Sequence, residues 1–155
     1  MVWVAFDWNR IFRPRFVKPG CKVDSGYYIK HVLTPFVKEY KRYYPQNNMI
    51  FHQDSAPANT ATKTQAWLHA NRLKYIEPSA WLPNSPDAAP CDYWLWGVLK
   101  ARLIKRKITT IRGLKSAVRE ELKNISDEMR QNALRAWPRR LMKIYKAKGH
   151  HILNK

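Results

Sequence analysis

The hydrophobic positions of this chain fall into short strand-like runs separated by longer helix-like stretches. Val2–Phe6 and Phe16–Val17 flank the polar turn Asp7–Arg10, a pattern that predicts a β-hairpin. Met49–Phe51 and Leu73–Ile76 predict two more strands, because each is a short segment rich in apolar or aromatic residues. Strands that alternate with helices in this way predict an α/β fold.

The first predicted helix has one apolar face. It begins after Asp24, a preferred capping residue, and Pro35 inside it predicts a kink or a break because proline lacks a backbone N–H. A second helix is predicted from Ala58 to Asn71, with Trp67 packed against the sheet. The apolar residues of the first helix recur every four positions, at Tyr28, Val32, Phe36 and Tyr40.

Two helices are predicted in the stretch from residue 90 to residue 125. Asp92 follows Pro90 and opens the first of them, and Thr109 or Thr110 can cap the second. Each helix carries a stripe of apolar residues that we expect to be buried. The stripe of the first is Leu95, Trp96, Leu99 and Leu103, and that of the second is Ile111, Leu114, Val118, Leu122 and Ile125.

The last part of the chain predicts two more helices. Ser126–Asp127 caps the first of them. Pro138 does not fit comfortably in a helix interior, so we expect a new helix to begin there and to stop at Gly149. The residues expected to face inward before Pro138 are Met129, Ala133 and Trp137.

Composition is typical of a globular protein with one domain. A chain of 155 residues, 45% of them hydrophobic, is long enough for one core and too short to expect two, so we predict a single domain over residues 1–155. No apolar stretch reaches the roughly 18 residues of a membrane span and no signal peptide is visible, so no membrane partner is expected. Cys21 and Cys91 show no paired spacing, which favours reduced thiols in an intracellular protein and no zinc site.

The formal net charge of +18 is the largest compositional signal. Such a charge repels itself in a compact protein unless an acidic partner screens it, and nucleic-acid phosphate is the obvious candidate. The charge is concentrated after residue 96, where seventeen Lys or Arg face four acidic residues. A solvated helix face explains part of this excess, whereas the whole excess favours a nucleic-acid partner.

Two aspartates lie at predicted element boundaries. Asp54 follows the strand that ends at Phe51, and open α/β sheets usually place their chemistry beyond such strand ends. Asp92 lies at the start of a predicted helix. The two carboxylates can be interpreted as metal ligands or as ordinary capping residues, and position alone favours caps because Asp is common at both kinds of boundary.

The segments around these two acids resemble a known enzyme family. Gln53–Pro57 (QDSAP) and Ser85–Lys100 (SPDAAPCDYWLWGVLK) are similar to the second and third carboxylate motifs of the mariner-like transposases, cut-and-paste enzymes of the DDE/DDD superfamily. Asp54 matches the second acid and Asp92 the third, with thirty-seven residues between them. Asp87 matches the non-catalytic Asp of the family's Ser-Pro-Asp turn.

This resemblance implies a ribonuclease-H-like fold, a mixed sheet flanked by helices. Trp137–Leu141 is also similar to a segment that closes the family's catalytic domain. In the family the first catalytic Asp lies on a strand that precedes the hairpin, and neither Asp7 nor Asp24 matches it. The resemblance therefore predicts a partial, N-terminally truncated catalytic domain over residues 1–155.

The resemblance also implies a function. Asp54 and Asp92 would bind Mg²⁺ or Mn²⁺ in a two-metal site for DNA strand cleavage and transfer, on transposon-end DNA, in the nucleus, with a homodimer as the assembly. The alternative is a catalytically inactive nucleic-acid-binding remnant or domesticated fragment, which the unmatched first acid favours. Five basic residues are candidate phosphate contacts, against the alternative of a solubilising surface: Lys100, Arg102, Lys105, Arg106 and Lys107.

Overall fold

The computed structural model describes residues 1–81, 85–150 and 152. Their contacts group into two compact units. The first unit comprises the described residues of 1–3 and 15–84, and the second comprises those of 4–14 and 85–155. That residues 1–155 form a single domain stays a prediction.

The first unit contains two pairs of short strands. Strands β1 and β2 are antiparallel, with Val2 opposite Phe16, which confirms the predicted hairpin. Strands β3 and β4 are parallel, with Ile50 opposite Lys74. Parallel and antiparallel pairing thus both occur, as predicted, although the described strands form two separate two-stranded sheets. The strands are β1 (Val2–Trp3), β2 (Arg15–Phe16), β3 (Ile50–Phe51) and β4 (Lys74–Tyr75).

Helical segments of the first unit pack one face inward. Asp24 caps the first helix, because its Oδ1 accepts a hydrogen bond of 2.7 Å from the Tyr27 N–H. The predicted apolar face is confirmed, since all four of its residues are buried. The segments are α1 (Ser25–Tyr28), a π turn (Ile29–Leu33), α2 (Thr34–Tyr43), α3 (Pro57–Thr60), α4 (Thr62–Ala70) and a 3₁₀ turn (Pro78–Ala80).

Pro35 changes the local helix geometry without ending the helical path. The backbone N–H of Thr34 donates to the Ile29 carbonyl five residues earlier, so the turn before the proline is wider than an α-helical turn. A proline ring crowds the preceding turn and cannot donate a backbone hydrogen bond. The wider turn accommodates that crowding, so the predicted irregularity appears as a π turn.

The predicted helix from Ala58 to Asn71 is divided in two at Ala61, whose backbone is extended (ψ 137°). That Trp67 packs this helix against the sheet stays a prediction. Trp67 is only half-buried, whereas Thr64 and Leu68 are buried. Thr64 and Leu68 therefore lie on the buried face of α4.

The end of α4 offers a stability prediction. Arg72 has φ +55°, its N–H donates to the His69 carbonyl, and the Leu73 N–H donates to the Leu68 carbonyl, which is a Schellman cap. Glycine has no Cβ penalty in this conformation. We expect Arg72→Gly to raise the free energy of unfolding by about 0.5–1 kcal/mol in urea titrations. Arg72→Ala is the matched control, and an equal gain in it would show that charge removal, not backbone conformation, is responsible.

The second unit is dominated by helices. Thr110 Oγ1 accepts from the Gly113 N–H at 3.0 Å and Ser126 Oγ accepts from the Met129 N–H at 3.2 Å, which confirms both predicted caps. Phe6 and Ile11 form an isolated antiparallel bridge in the hairpin. The helical segments are a 3₁₀ turn (Pro86–Ala88), a π turn (Cys91–Leu95), α5 (Trp96–Ile104), α6 (Ile111–Lys123) and α7 (Asp127–Lys146).

The apolar stripe predicted for α6 is only partly correct. Ile111 and Leu114 are 59% and 43% exposed, whereas Val118 and Leu122 are buried. Glu121 is buried on the same face, which the hydrophobic pattern could not predict. Glu121 is accommodated there because Arg102 of α5 and Arg106, two residues beyond the end of α5, pair with its carboxylate.

The prediction that a new helix begins at Pro138 is wrong, since α7 continues through it. An interior proline costs about 3 kcal/mol because it removes one helical hydrogen bond and crowds the preceding turn. Side-chain bonds on both sides of the proline offset this cost: Trp137 Nε1 donates to the Ala88 carbonyl at 2.7 Å, and Arg140 Nε donates to the Asp87 carbonyl at 2.8 Å. The helix stops near Gly149 as predicted, in a second Schellman cap.

Candidate functional site

Asp54 lies three residues beyond the end of β3, at the carboxyl edge of the parallel strand pair. Its side chain is exposed, although Phe51, the last residue of the strand, is buried. The predicted position of Asp54 just past a strand end is therefore confirmed. An acid in this position is anchored by the sheet and accessible to a ligand.

One oxygen of the Asp54 carboxylate is held by the protein. Its Oδ1 accepts a hydrogen bond of 3.1 Å from the Ala56 N–H and one of 2.5 Å from Asn59 Nδ2. Among the described residues, none donates a hydrogen bond to Oδ2. An exposed carboxylate with one constrained and one open oxygen suits a hard divalent cation, which takes oxygen ligands.

Asn59 lies at this candidate site, although the sequence analysis did not assign it to the site. It lies in α3, it is buried, and it bonds directly to Asp54. The available signal was a polar residue in the first turn of a helix that begins at Pro57, directly after the acid motif. That signal is weak, because polar residues are common at helix starts.

His52 lies beside the acid and packs against Trp81, with ring centroids 3.9 Å apart. Burial lowers the pKa of His52 to about 4, because the charged imidazolium loses hydration, and the negative charge of Asp54 opposes this shift only in part. In the folded protein His52 is therefore neutral above about pH 4.

We predict that lowering the pH destabilises the first unit, because His52 is partly buried in its neutral form. The folded pKa lies below the ordinary value of 6.5, so between about pH 4 and pH 6.5 the unfolded chain binds a proton that the folded chain does not. The free energy of unfolding should fall by roughly 1–3 kcal/mol as the pH decreases through this window, after allowance for partial exposure. Urea titrations in metal-free buffer measure it. His52→Phe, which keeps a ring against Trp81, should flatten the dependence, and an unchanged slope would assign it to other groups.

Asp92 is exposed in the first turn of the helical segment that leads into α5. Its backbone N–H donates to the Ala89 carbonyl at 2.9 Å, so the turn is closed at the residue that carries the acid. Leu95 and Leu99 are buried below it. The predicted placement of Asp92 in a first helical turn is confirmed.

Asp87 has a structural role within the second unit. Its Oδ1 pairs with Arg140 Nη2 at 3.2 Å, and its Oδ2 accepts from the Ile152 N–H at 3.1 Å. Arg140 also lies over the Tyr93 ring, 4.3 Å from its centroid. The Ser-Pro-Asp turn is thus fixed to α7 and fixes the start of the segment that carries Asp92.

The two acids belong to different units, Asp54 to the first and Asp92 to the second. Among the described residues, no group of three or more His, Cys, Asp or Glu side chains could hold a metal ion. That the carboxylates of Asp54 and Asp92 lie within about 10 Å of each other, as a shared two-metal site requires, stays a prediction.

The five candidate phosphate contacts divide into two classes. Arg106 bonds Glu120 at 2.8 Å and Glu121 at 2.7 Å, and Arg102 lies 3.6 Å from the Glu121 carboxylate. The hydrogen bond with Glu120 raises the pKa of Arg106 and lowers that of Glu120, so both stay ionised near neutral pH. The lysines at positions 100, 105 and 107 are exposed and offer the more accessible charges.

The chain is similar to two transposases over almost its whole length. It is 29% identical over 154 residues to the Tc3 transposase of Caenorhabditis elegans, and the aligned region covers 98% of this chain and 45% of that protein. It is 23% identical over 158 residues to the mariner Mos1 transposase of Drosophila mauritiana, which covers 98% of this chain and 44% of that protein. The chain therefore spans less than half the length of either relative. No protein-family model matches it.

Solved structures show the same fold. The crystal structure of the Mos1 transposase catalytic domain superposes with a TM-score of 0.84 at 23% identity, covering 98% of this chain and 75% of that one. The Mos1 paired-end complex with Mg superposes with a TM-score of 0.87 at 24% identity, covering 98% and 44%. The ribonuclease-H-like prediction is confirmed, as is the predicted resemblance to mariner-type transposases. No described helix is long and apolar enough to span a membrane.

Proposed function

We infer that this chain, whose homologues are the Tc3 and Mos1 transposases, is the catalytic-core portion of a DDE-type transposase. The observation that carries the proposal is the exposed Asp54 carboxylate, held by Asn59 beyond a parallel strand, in a fold that matches the Mos1 catalytic domain. The proposed activity is cleavage and transfer of DNA strands.

Asp54 and Asp92 are the proposed ligands of the divalent ions, Mg²⁺ or Mn²⁺. Mos1 structures with Mn and with Mg support these two metals. When bound, such ions activate the attacking oxygen and stabilise the leaving oxygen of a phosphodiester. The protein's own contribution is to hold the two carboxylates in place, Asp54 beyond β3 and Asp92 in a first helical turn.

DNA is the proposed partner, with transposon ends as the natural substrate. Mos1 has been solved as a paired-end complex with a transposon end and as a pre-cleavage transpososome, which supports DNA binding and a homodimer. The net charge of +18 supports the same partner. A DNA substrate also supports the nucleus as the proposed location.

We predict that duplex DNA binds with a steep salt dependence and little sequence preference. Each phosphate contact contributes roughly −0.9 to the slope of log affinity against log salt. Changing Lys100, Lys105 and Lys107 to Glu should weaken binding and reduce the slope by about 3, measured by fluorescence anisotropy between about 50 and 200 mM salt.

The control for this triple variant carries the same charge change elsewhere. Lys30, Lys38 and Lys41 are exposed lysines of the first unit, and their reversal to Glu is expected to change the slope less. Equal losses in both triple variants would show that net charge, and not the surface around α5, determines affinity. Arg106 is left unchanged because its reversal would break the ion pairs with Glu120 and Glu121.

The alternative function, an inactive nucleic-acid-binding remnant or domesticated fragment, shares the DNA binding and lacks the cleavage. Both candidates therefore predict the salt dependence above. Nicking of transposon-end DNA with Mg²⁺ or Mn²⁺, by a chain extended upstream through a strand that ends in Asp, distinguishes them.

A further inference from the structure

Asn59 is a buried polar residue, only 8% exposed, in a unit whose core is otherwise largely apolar. A buried amide costs stability unless it is hydrogen-bonded. Its side-chain nitrogen lies 2.5 Å from Asp54 Oδ1 and 3.5 Å from the Asp54 backbone carbonyl. The amide of Asn59 thus donates its hydrogen bonds to a single exposed acid.

The backbone of Asn59 is itself fixed by two glutamine side chains. Gln53 Nε2 and Gln65 Nε2 donate to the Asn59 carbonyl at 3.1 and 2.6 Å. The Oε1 of Gln53 accepts a hydrogen bond of 3.0 Å from the Tyr28 hydroxyl, and Tyr28 is buried in the core. A continuous chain of hydrogen bonds therefore connects a core tyrosine to the residue that holds Asp54.

This arrangement constrains a side chain that would otherwise rotate freely in water. A surface aspartate samples several rotamers, and a ligand must select one of them. The bonds from Asn59 and from the Ala56 N–H fix Oδ1, so the carboxylate keeps one orientation before any cation arrives. Partners that orient a metal ligand in this way typically contribute about 10- to 100-fold in metal affinity.

We propose that Asn59 is a positioning residue, which holds the Asp54 carboxylate in the orientation that binds a divalent cation. The proposal rests on the proposed function, because it takes Asp54 as a metal ligand. Asn59 acts through Asp54 and needs no contact with the cation or with DNA.

The test is a Mn²⁺ titration of the 155-residue chain. Metal binding is measured from the paramagnetic broadening of the backbone amide signals of Ser55 and Ala56. This readout reports metal binding at Asp54 without any requirement for cleavage. Asn59→Leu, which keeps the side-chain size and removes the donor, should weaken Mn²⁺ binding at least about tenfold. Asn59→Ser is a second variant with the same expected loss, and it serves if the leucine variant does not fold.

Thr64→Val is the matched control, because it removes a buried hydrogen bond between α3 and α4 without removing the bond to Asp54. Thr64 is fully buried and its hydroxyl donates to the Ala58 carbonyl at 2.6 Å, so it also ties α3 to α4 by a buried hydrogen bond, without touching Asp54. We expect Mn²⁺ binding to this variant to stay within about threefold of the unmodified chain. The amide spectra of all variants report whether the fold is retained.

Each failure has its own signature. The assignment of Asp54 as a metal ligand is overturned if Mn²⁺ does not broaden the Ser55 and Ala56 signals. It is also overturned if Asp54→Asn does not reduce the broadening. Unchanged binding in folded Asn59→Leu, or an equal loss in Thr64→Val, overturns the positioning role of Asn59 alone.

Discussion

DNA cleavage by the catalytic core is expected to fall at least about a thousandfold when either Asp54 or Asp92 is replaced by Asn. The substitution keeps the side-chain shape and removes the negative charge that binds the cation. Loss of one ligand from a two-metal site removes several kcal/mol of transition-state stabilisation, and about 4 kcal/mol corresponds to a factor of about 10³. A nicking assay on transposon-end DNA with Mg²⁺ or Mn²⁺ measures the effect.

The assay compares two chain lengths, because the family resemblance calls for three acids and only two are matched here. We expect no cleavage from the 155-residue chain, since two acids hold at most one ion well. A chain extended upstream through a strand that ends in Asp is expected to cleave, and the two Asn variants are then tested in it. Cleavage that survives Asp92→Asn would show that the site is misassigned. An inactive extended chain would favour the alternative function, an inactive nucleic-acid-binding remnant or domesticated fragment.

Asp24→Asn is the matched control for charge. It changes the net charge by the same amount, and Asn is as good a helix cap as Asp, so α1 keeps its start. We expect cleavage and DNA affinity to stay near those of the unmodified chain. A comparable loss in this control would trace the effect of the site variants to DNA binding instead of metal binding.

The features that the sequence predicted correctly are local ones. Asp24, Thr110 and Ser126 each accept a hydrogen bond from the N–H three residues later, so the signal and its partner lie in the same few residues. Asp54 and Asp92 could be placed for a similar reason, because a strand end and a helix start are short-range features. Their identification as a pair needed the motif resemblance, since capping explains isolated acids equally well.

The features that the sequence missed depend on hydrogen-bond and packing partners that a hydrophobic pattern does not specify. Glu121 interrupts an apolar face because Arg102 of α5 and Arg106, just beyond the end of α5, neutralise it. Ile111 lies on the same predicted stripe and is exposed, because the first turn of α6 packs less than the last. Asn59 is buried because Gln53 and Asp54 satisfy its polar atoms. Periodicity records which residues are apolar, and it contains no information about such partners.

The course of α7 through Pro138 is the clearest feature that the sequence missed. It leads to the second large effect that we expect, a loss of stability when Arg140 is replaced. Arg140 follows the proline by two residues, and its guanidinium is largely buried, with 15% of the side chain exposed. It donates to the Asp87 carbonyl, pairs with the Asp87 carboxylate and lies over the Tyr93 ring. The neighbouring Arg139 is exposed. Adjacent arginines of one helix therefore differ in environment and can be compared directly.

Arg140→Met is expected to lower the free energy of unfolding by about 2–4 kcal/mol, whereas Arg139→Met should change it by less than about 0.5 kcal/mol. A hydrogen bond from a charged donor contributes about 1.5–3 kcal/mol and a cation–π contact about 0.5–2 kcal/mol, and methionine provides neither while keeping much of the apolar stem. Urea titrations of both variants measure the difference, and Asp87→Asn combined with Arg140→Met isolates the ion pair in a double-mutant cycle. Equal effects at positions 139 and 140 would mean that the contacts of Arg140 do not hold α7 together across Pro138, and that another interaction compensates for the proline.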